Sequence, residues 1–245
     1  MIRMINRALR SPNPDAPEAV WIPHGLNNPT SAGPDDLYFF LKIHALRRGG
    51  ERVVFILNDS RENAEAVYLN LSSLDEPPEC FVARISDRAE TDALRDFGTV
   101  PSGLLSVGSI PAQSMLAVHL GPDPLKGLRE IQIVEETLTP GSLLNGGELN
   151  RWQTTRLAVK GVDASGRTRR IPDEFLTWES SSPRALRVDG GGLVQRVRHG
   201  AGPVTLTVST ADSRLSAALT VPDASEPAGP SGPRRHLGSA GLAEV

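Results

Sequence analysis

The chain has 245 residues, of which 39% are hydrophobic and 22% charged, and its formal net charge is −3. That length suits two domains of about 100–150 residues, and the near balance of charge excludes a protein that holds nucleic acid chiefly through phosphate contacts. Cys80 is the single cysteine, which excludes an intramolecular disulfide.

Residues 1–18 form an amphipathic segment and a linker. On a helical wheel at about 100° per residue, Met1, Ile2, Met4, Ile5, Ala8 and Leu9 share one arc, and Arg3, Asn6, Arg7 and Arg10 fill the other. The pattern predicts a short basic helix that docks on a partner groove or a membrane surface. The alternatives are a helix packed on its own domain and a frayed terminus. Three prolines between Ser11 and Pro17 then end any helix.

Residues 19–128 alternate with period two, the signature of half-buried strands. Leu37, Phe39, Leu41 and Ile43 alternate with Tyr38, Phe40, Lys42 and His44. Val53 to Leu57 is apolar on both faces. Val67 to Leu71, Phe81 to Ile85 and Leu116 to Leu120 follow. Turn clusters at Arg48-Gly49-Gly50, Asn58-Asp59-Ser60, Glu76-Pro77-Pro78 and Pro101-Ser102-Gly103 separate these runs and predict a β-sandwich. Asp87 to Phe97 carries helix-forming residues and is read as one short crossover helix. The Asn-rich turn at Leu57-Asn58-Asp59, the strand Ala66 to Ser72 and the run Val107 to Ser114 are together similar to bacterial CARDB-type immunoglobulin-like modules. That resemblance implies a sandwich and nothing sharper.

Residues 129–222 form a second ordered series. Ile131 to Pro140, Thr155 to Val162, Leu176 to Ser180, Ala185 to Val188, Leu193-Val194, Val204 to Val208 and Leu215 to Val221 read as strands. Turns fall at Gly146-Gly147-Glu148, Asp163 to Gly166, Asp189 to Gly192 and Gly200-Ala201-Gly202. Trp178 sits mid-strand between Thr177 and Glu179, so its indole belongs to the core. Leu206 and Val208 face in, Thr205 and Thr207 face out. The series resembles the bacterial Ig-like group 2 domain of the BIG2, intimin/invasin type. The resemblance implies an immunoglobulin-like sandwich, with cell-surface roles in many relatives. Residues 223–245 are rich in Pro, Gly, Ser and Ala without periodicity, and predict an extended tail with no core of its own. The expected fold is therefore all-β: two tandem immunoglobulin-like sandwiches between an amphipathic start and an irregular end.

The polar residues gather into no catalytic or metal-binding set. His24, His44, His119, His199 and His236 are scattered without ligand spacing. The acidic pairs Asp35-Asp36, Asp75-Glu76 and Glu135-Glu136 stand beside turns or on solvated faces, without a nucleophile or base. No enzyme activity, cofactor or metal is expected. From Arg151 to Gly200, ten basic residues (Arg151, Arg156, Lys160, Arg167, Arg169, Arg170, Arg184, Arg187, Arg196, Arg198) face five acidic ones (Asp163, Asp173, Glu174, Glu179, Asp189). This excess suits an acidic protein or an anionic membrane face, and the scarcity of aromatics there argues against single-stranded nucleic acid.

The pattern predicts a non-catalytic accessory subunit that bridges protein subunits of a large assembly. That assembly is either a membrane complex on its cytoplasmic face, energy-converting or photosynthetic, or a phage virion or tail. An adhesin or glycan-binding module is the alternative. No stretch of about 18 apolar residues is present, and the first residues lack a signal peptide's apolar core and cleavage site. A cytoplasmic location is therefore expected, peripheral at the inner membrane face or in a virion. The expected partner-docking residues are Met1, Ile2, Arg3, Ile5, Arg7, Leu9, Arg169, Arg170, Arg234 and Arg235.

Overall fold

The computed structural model describes residues 20–21, 41–61, 65–72, 74, 76–87, 92–136, 143–145, 149 and 153–223. The amphipathic segment and the tail beyond residue 223 lie outside the described residues. Within them the chain is nearly all β, with sixteen strands and two single 3-10 turns. Every strand pair is antiparallel.

The N-terminal half contains β1 (Val20–Trp21), β2 (Leu41–Arg48), β3 (Glu51–Asn58), β4 (Glu65–Asn70), β5 (Cys80–Ser86), β6 (Ala93–Thr99), β7 (Leu104–Ile110) and β8 (Ser114–Gly121). Six of them make one sheet in the order β1-β2-β3-β8-β5-β6, and β4 pairs with β7 in a second sheet. The alternating side chains bring one face of each sheet together: Leu41, Ile56, Phe81, Ile85, Leu116 and Val118 meet Val67, Leu69, Leu105, Val107 and Ile110. The doubly apolar run in β3 has a separate cause for each face. Ile56 enters the core between the sheets, while Phe55 joins Leu46, Met115 and Ala117 on the opposite side. Asn58 closes β3. Its buried side chain donates to Ile110 O at 2.9 Å and accepts from Ser60 N at 3.0 Å, so the Asn-rich turn is tied to the second sheet.

The helix expected over Asp87 to Phe97 is not what forms over its second part: Ala93–Thr99 is strand β6, paired with β5. Residues 88–91 lie outside the described residues. Pairing with β5 overrides the helical propensity of Ala93 to Asp96. Asp92, at φ 64°, makes the turn into the strand.

The C-terminal half contains β9 (Leu128–Glu135), β10 (Thr154–Asp163), β11 (Thr168–Arg170), β12 (Leu176–Ser180), β13 (Leu186–Val188), β14 (Leu193–Arg196), β15 (Val204–Thr210) and β16 (Ser216–Val221). One sheet runs β11-β10-β14-β13 with β9 also on β10, and the other runs β12-β15-β16. Between them lie Leu157, Val159, Leu176, Trp178, Leu186, Val194, Leu206, Val208 and Val221. Trp178 is 9% exposed, as its place in the strand predicts. Leu206 and Val208 point in and Thr205 and Thr207 out. The chain passes from β12 to β13, and so from one sheet to the other, through Ser181 to Ala185. The β13–β14 turn needs glycine at its end: Gly192 has φ +74°, and a Cβ there would sit 2.2 Å from Leu157 O.

Candidate functional site

The two halves share β5. Its seven residues are all buried, because both faces are covered. Phe81, Ala83 and Ile85 face the N-terminal core, while Cys80 and Val82 belong to the core of the C-terminal half. Phe97 of β6 meets Phe175 edge to face, with ring centroids 6.1 Å apart.

Arg84 is the one charged residue of this buried strand. Its Nε contacts Asp92 Oδ1 at 2.9 Å, its Nη2 donates to Asp92 O at 2.9 Å, and its Nη1 donates to Glu174 O at 2.9 Å and Leu176 O at 3.0 Å. The guanidinium thus ties β6 and the start of β12 to β5. Both charges are sealed from water, with side-chain exposures of 3% and 7%. Breaking such a pair strands its partner, which makes it costly to remove from one side.

Around this junction are other polar links. His119 Nδ1 lies 3.5 Å from Glu174 Oε1. Burial, then the neighbouring Glu174 carboxylate, pushes Glu51 above the usual glutamate range, partly opposed by Arg48. Cys80 is pushed up to about 12 by burial and then by Asp123 and Glu79, so its thiol stays protonated and unreactive.

Beyond Arg84 the halves frame an open cleft of about 800 Å³, within the volume range of small-molecule sites. One wall is Asp92 to Leu94. The opposite wall is Thr177 to Glu179 of β12, the stretch Arg187 to Gly191, and Ser209, Thr210 and Ser213. Thr177 Oγ1 is buried without a hydrogen-bond partner. Asp189 is occupied, since its carboxylate accepts from Gly191 N at 3.0 Å and Leu193 N at 2.9 Å. Arg156 is occupied as well, bridging Glu136 and Asp173 at 2.9 Å each. Glu179 and Arg187 are exposed and take part in no ion pair among the described residues.

Of the expected docking residues, Arg169 and Arg170 are described, on strand β11. Arg169 donates from Nε to Pro124 O at 3.1 Å and from Nη2 to Lys126 O, so it clamps the connection between β8 and β9. Arg170 pairs with Glu136 and approaches Asp173 Oδ1 at 3.7 Å. Both guanidiniums make bonds within the chain, and neither lines the cleft, although Arg170 shares Glu136 and Asp173 with the lining residue Arg156. Met1, Ile2, Arg3, Ile5, Arg7, Leu9, Arg234 and Arg235 lie outside the described residues. Sequence reasoning missed Arg84, although an arginine inside Phe81 to Ser86 is a visible anomaly. It also missed the cleft, whose walls come from segments far apart in the chain. Among the described residues, no group of three or more His, Cys, Asp or Glu could hold a metal ion, and no helix is long and apolar enough to cross a membrane.

No family model matches the chain, and no curated protein matches it. Among solved structures it is similar in part to a GH30 endoxylanase from Clostridium papyrosolvens C71, at 18% identity over 37% of this chain and 22% of that one, with a TM-score of 0.30. It is likewise similar to a GH family 44 xyloglucanase from Paenibacillus polymyxa, at 13% identity over 34% of this chain and 17% of that one, TM-score 0.30. The chain matches only about a fifth of the length of these enzymes. Likeness at this level carries no statement about activity.

Proposed function

We propose that the chain is a non-catalytic accessory subunit that docks on and bridges other protein subunits of a large assembly. It is built of two tandem immunoglobulin-like β-sandwiches, the second of the bacterial Ig-like group 2 kind, and the two act as one rigid spacer. The observation that carries this reading is the Arg84 junction. A buried guanidinium that bonds both halves, beside a strand whose two faces enter two cores, resists the relative motion expected of loosely linked domains. Arg169 adds a second tie on the connection itself.

In this reading residues 1–12, with the amphipathic segment, and the tail 223–245 are the straps that reach the partner. The basic excess of the C-terminal half suits an anionic surface. The site of action is the inner face of a membrane complex or a virion. Deleting residues 1–12 and 223–245 tests the straps. The truncated chain is expected to fold and to lose its partner on co-purification; retention at full occupancy would sink the idea.

One observation favours a second reading, an adhesin or glycan-binding module. Tyr68 and Leu104, 64% and 60% exposed on the outer face of the β4–β7 pair, are the two most exposed large hydrophobic side chains among the described residues. Binding on a glycan array that Tyr68→Ala abolishes would favour it over the subunit reading.

A further inference from the structure

The cleft is bordered by two strand edges with open main-chain groups. In an antiparallel ladder the bonded pairs alternate. Ser181 N donates to Thr205 O and Ala211 N donates to Phe175 O, so the odd-numbered residues of β12 bond to β15. The even-numbered residues turn their N–H and C=O outward. At Leu176 both groups are taken, the N–H by Asp173 O and the C=O by Arg84. At Trp178 neither has a partner among the described residues.

Strand β13 repeats the pattern. Asp189 N donates to Leu193 O and Val197 N to Ala185 O, which turns Leu186 and Val188 outward. Leu186 N donates to Ser182 O, and Leu186 O accepts the Ser180 hydroxyl at 2.6 Å. Val188 keeps both groups open. By contrast β6, the third edge at the cleft, has one of its amides closed by its own side chain: the Asp96 carboxylate accepts Phe97 N at 2.8 Å, a common way to blunt an edge.

Open main-chain groups in a half-buried setting seek partners. An extended polypeptide supplies a donor and an acceptor at each residue, which an apolar ligand or a cation does not. Arg187 and Glu179 add one unpaired charge of each sign, and so select a segment that carries both. We propose that the cleft takes an extended segment of a partner polypeptide, which bonds to the main chain at Trp178 and Val188 and sets an acidic side chain toward Arg187 and a basic one toward Glu179. This rests on the reading of the chain as a docking subunit and names a surface for it.

The test is a selection of the full-length chain against a random decapeptide display library. Enriched peptides are expected to carry one acidic and one basic side chain. Arg187→Glu and Glu179→Lys should each weaken them at least tenfold. Arg184→Glu, at an exposed arginine outside the cleft lining, should leave them unchanged. Amide exchange at Trp178 and Val188 should slow in the complex. Failure to enrich any peptide would overturn the proposal. So would bound peptides that leave both amides unprotected, or that ignore both charge reversals. Concentration-dependent self-association that protects these two amides would overturn it in favour of a second copy of the chain. A failed selection leaves the strap reading standing, because truncation and co-purification measure that separately.

Discussion

Arg84 on β5 donates to the carbonyl of Leu176 at the start of β12, at 3.0 Å. This one bond spans two sheets that belong to different halves of the chain, and the same guanidinium holds Asp92 at 2.9 Å. Arg84→Met should therefore remove this guanidinium from the Asp92 carboxylate and from three carbonyls, those of Asp92, Glu174 and Leu176, and destabilise the protein by about 3–5 kcal/mol. The pair Arg84→Met with Asp92→Asn should recover part of that loss without restoring the tie to Leu176. Chemical denaturation is the readout. The wild type is expected to unfold in one transition and the double variant in two, one for each half.

Gly192 and Gly166 make a matched comparison. Both have positive φ, at +74° and +79°. A Cβ at Gly166 meets nothing within 4 Å, whereas at Gly192 it meets Leu157 O at 2.2 Å. Gly166→Ala should cost about 1–2 kcal/mol, the left-handed penalty alone. Gly192→Ala should cost clearly more, because backbone must move as well. Thermal melts of the two variants compare them directly.

Glu51 supplies a pH dependence. Its pKa is raised in the folded protein, first by burial and then by Glu174. A carboxyl with a raised folded pKa binds its proton more tightly when folded, so its ionisation works against the fold. The penalty is absent below the ordinary value of 4.5, grows as pH rises through the folded pKa, and is complete above it. Glu51→Gln should raise the melting temperature at neutral pH and lose that advantage below pH 4.5. An advantage of equal size in acid would contradict the assignment.

Cys80 should resist thiol reagents in the native protein. Its thiol is buried and pushed up to about 12, and the thiolate is the reactive form. Labelling should follow unfolding rather than reagent concentration. Fast labelling of the folded chain would show that the junction opens.

Much of the C-terminal half was legible in advance. The period-two pattern identified β15, with Leu206 and Val208 in and Thr205 and Thr207 out, and it put Trp178 in the core. Local rules carried these elements because each strand buries one face only. Where both faces are buried, as in β5, alternation vanishes and the sequence does not say which core each side chain joins. Strand β6 was hidden for another reason. Ala93 to Asp96 favours helix locally, and only pairing with β5 reverses that preference. Charge counts along the sequence do not reveal that Glu136, Pro124 and Lys126 fold back to meet the basic pair Arg169-Arg170.

The central claim is that the chain works as a docked subunit, and the most direct test is the native mass of the species that contains it. The chain, isolated under gentle conditions from the cells that make it, would be measured by native mass spectrometry. A docked subunit gives a mass well above the 26.3 kDa of one chain, with a different polypeptide present in fixed ratio. A single species at 26.3 kDa, with no partner at any ionic strength, would contradict it.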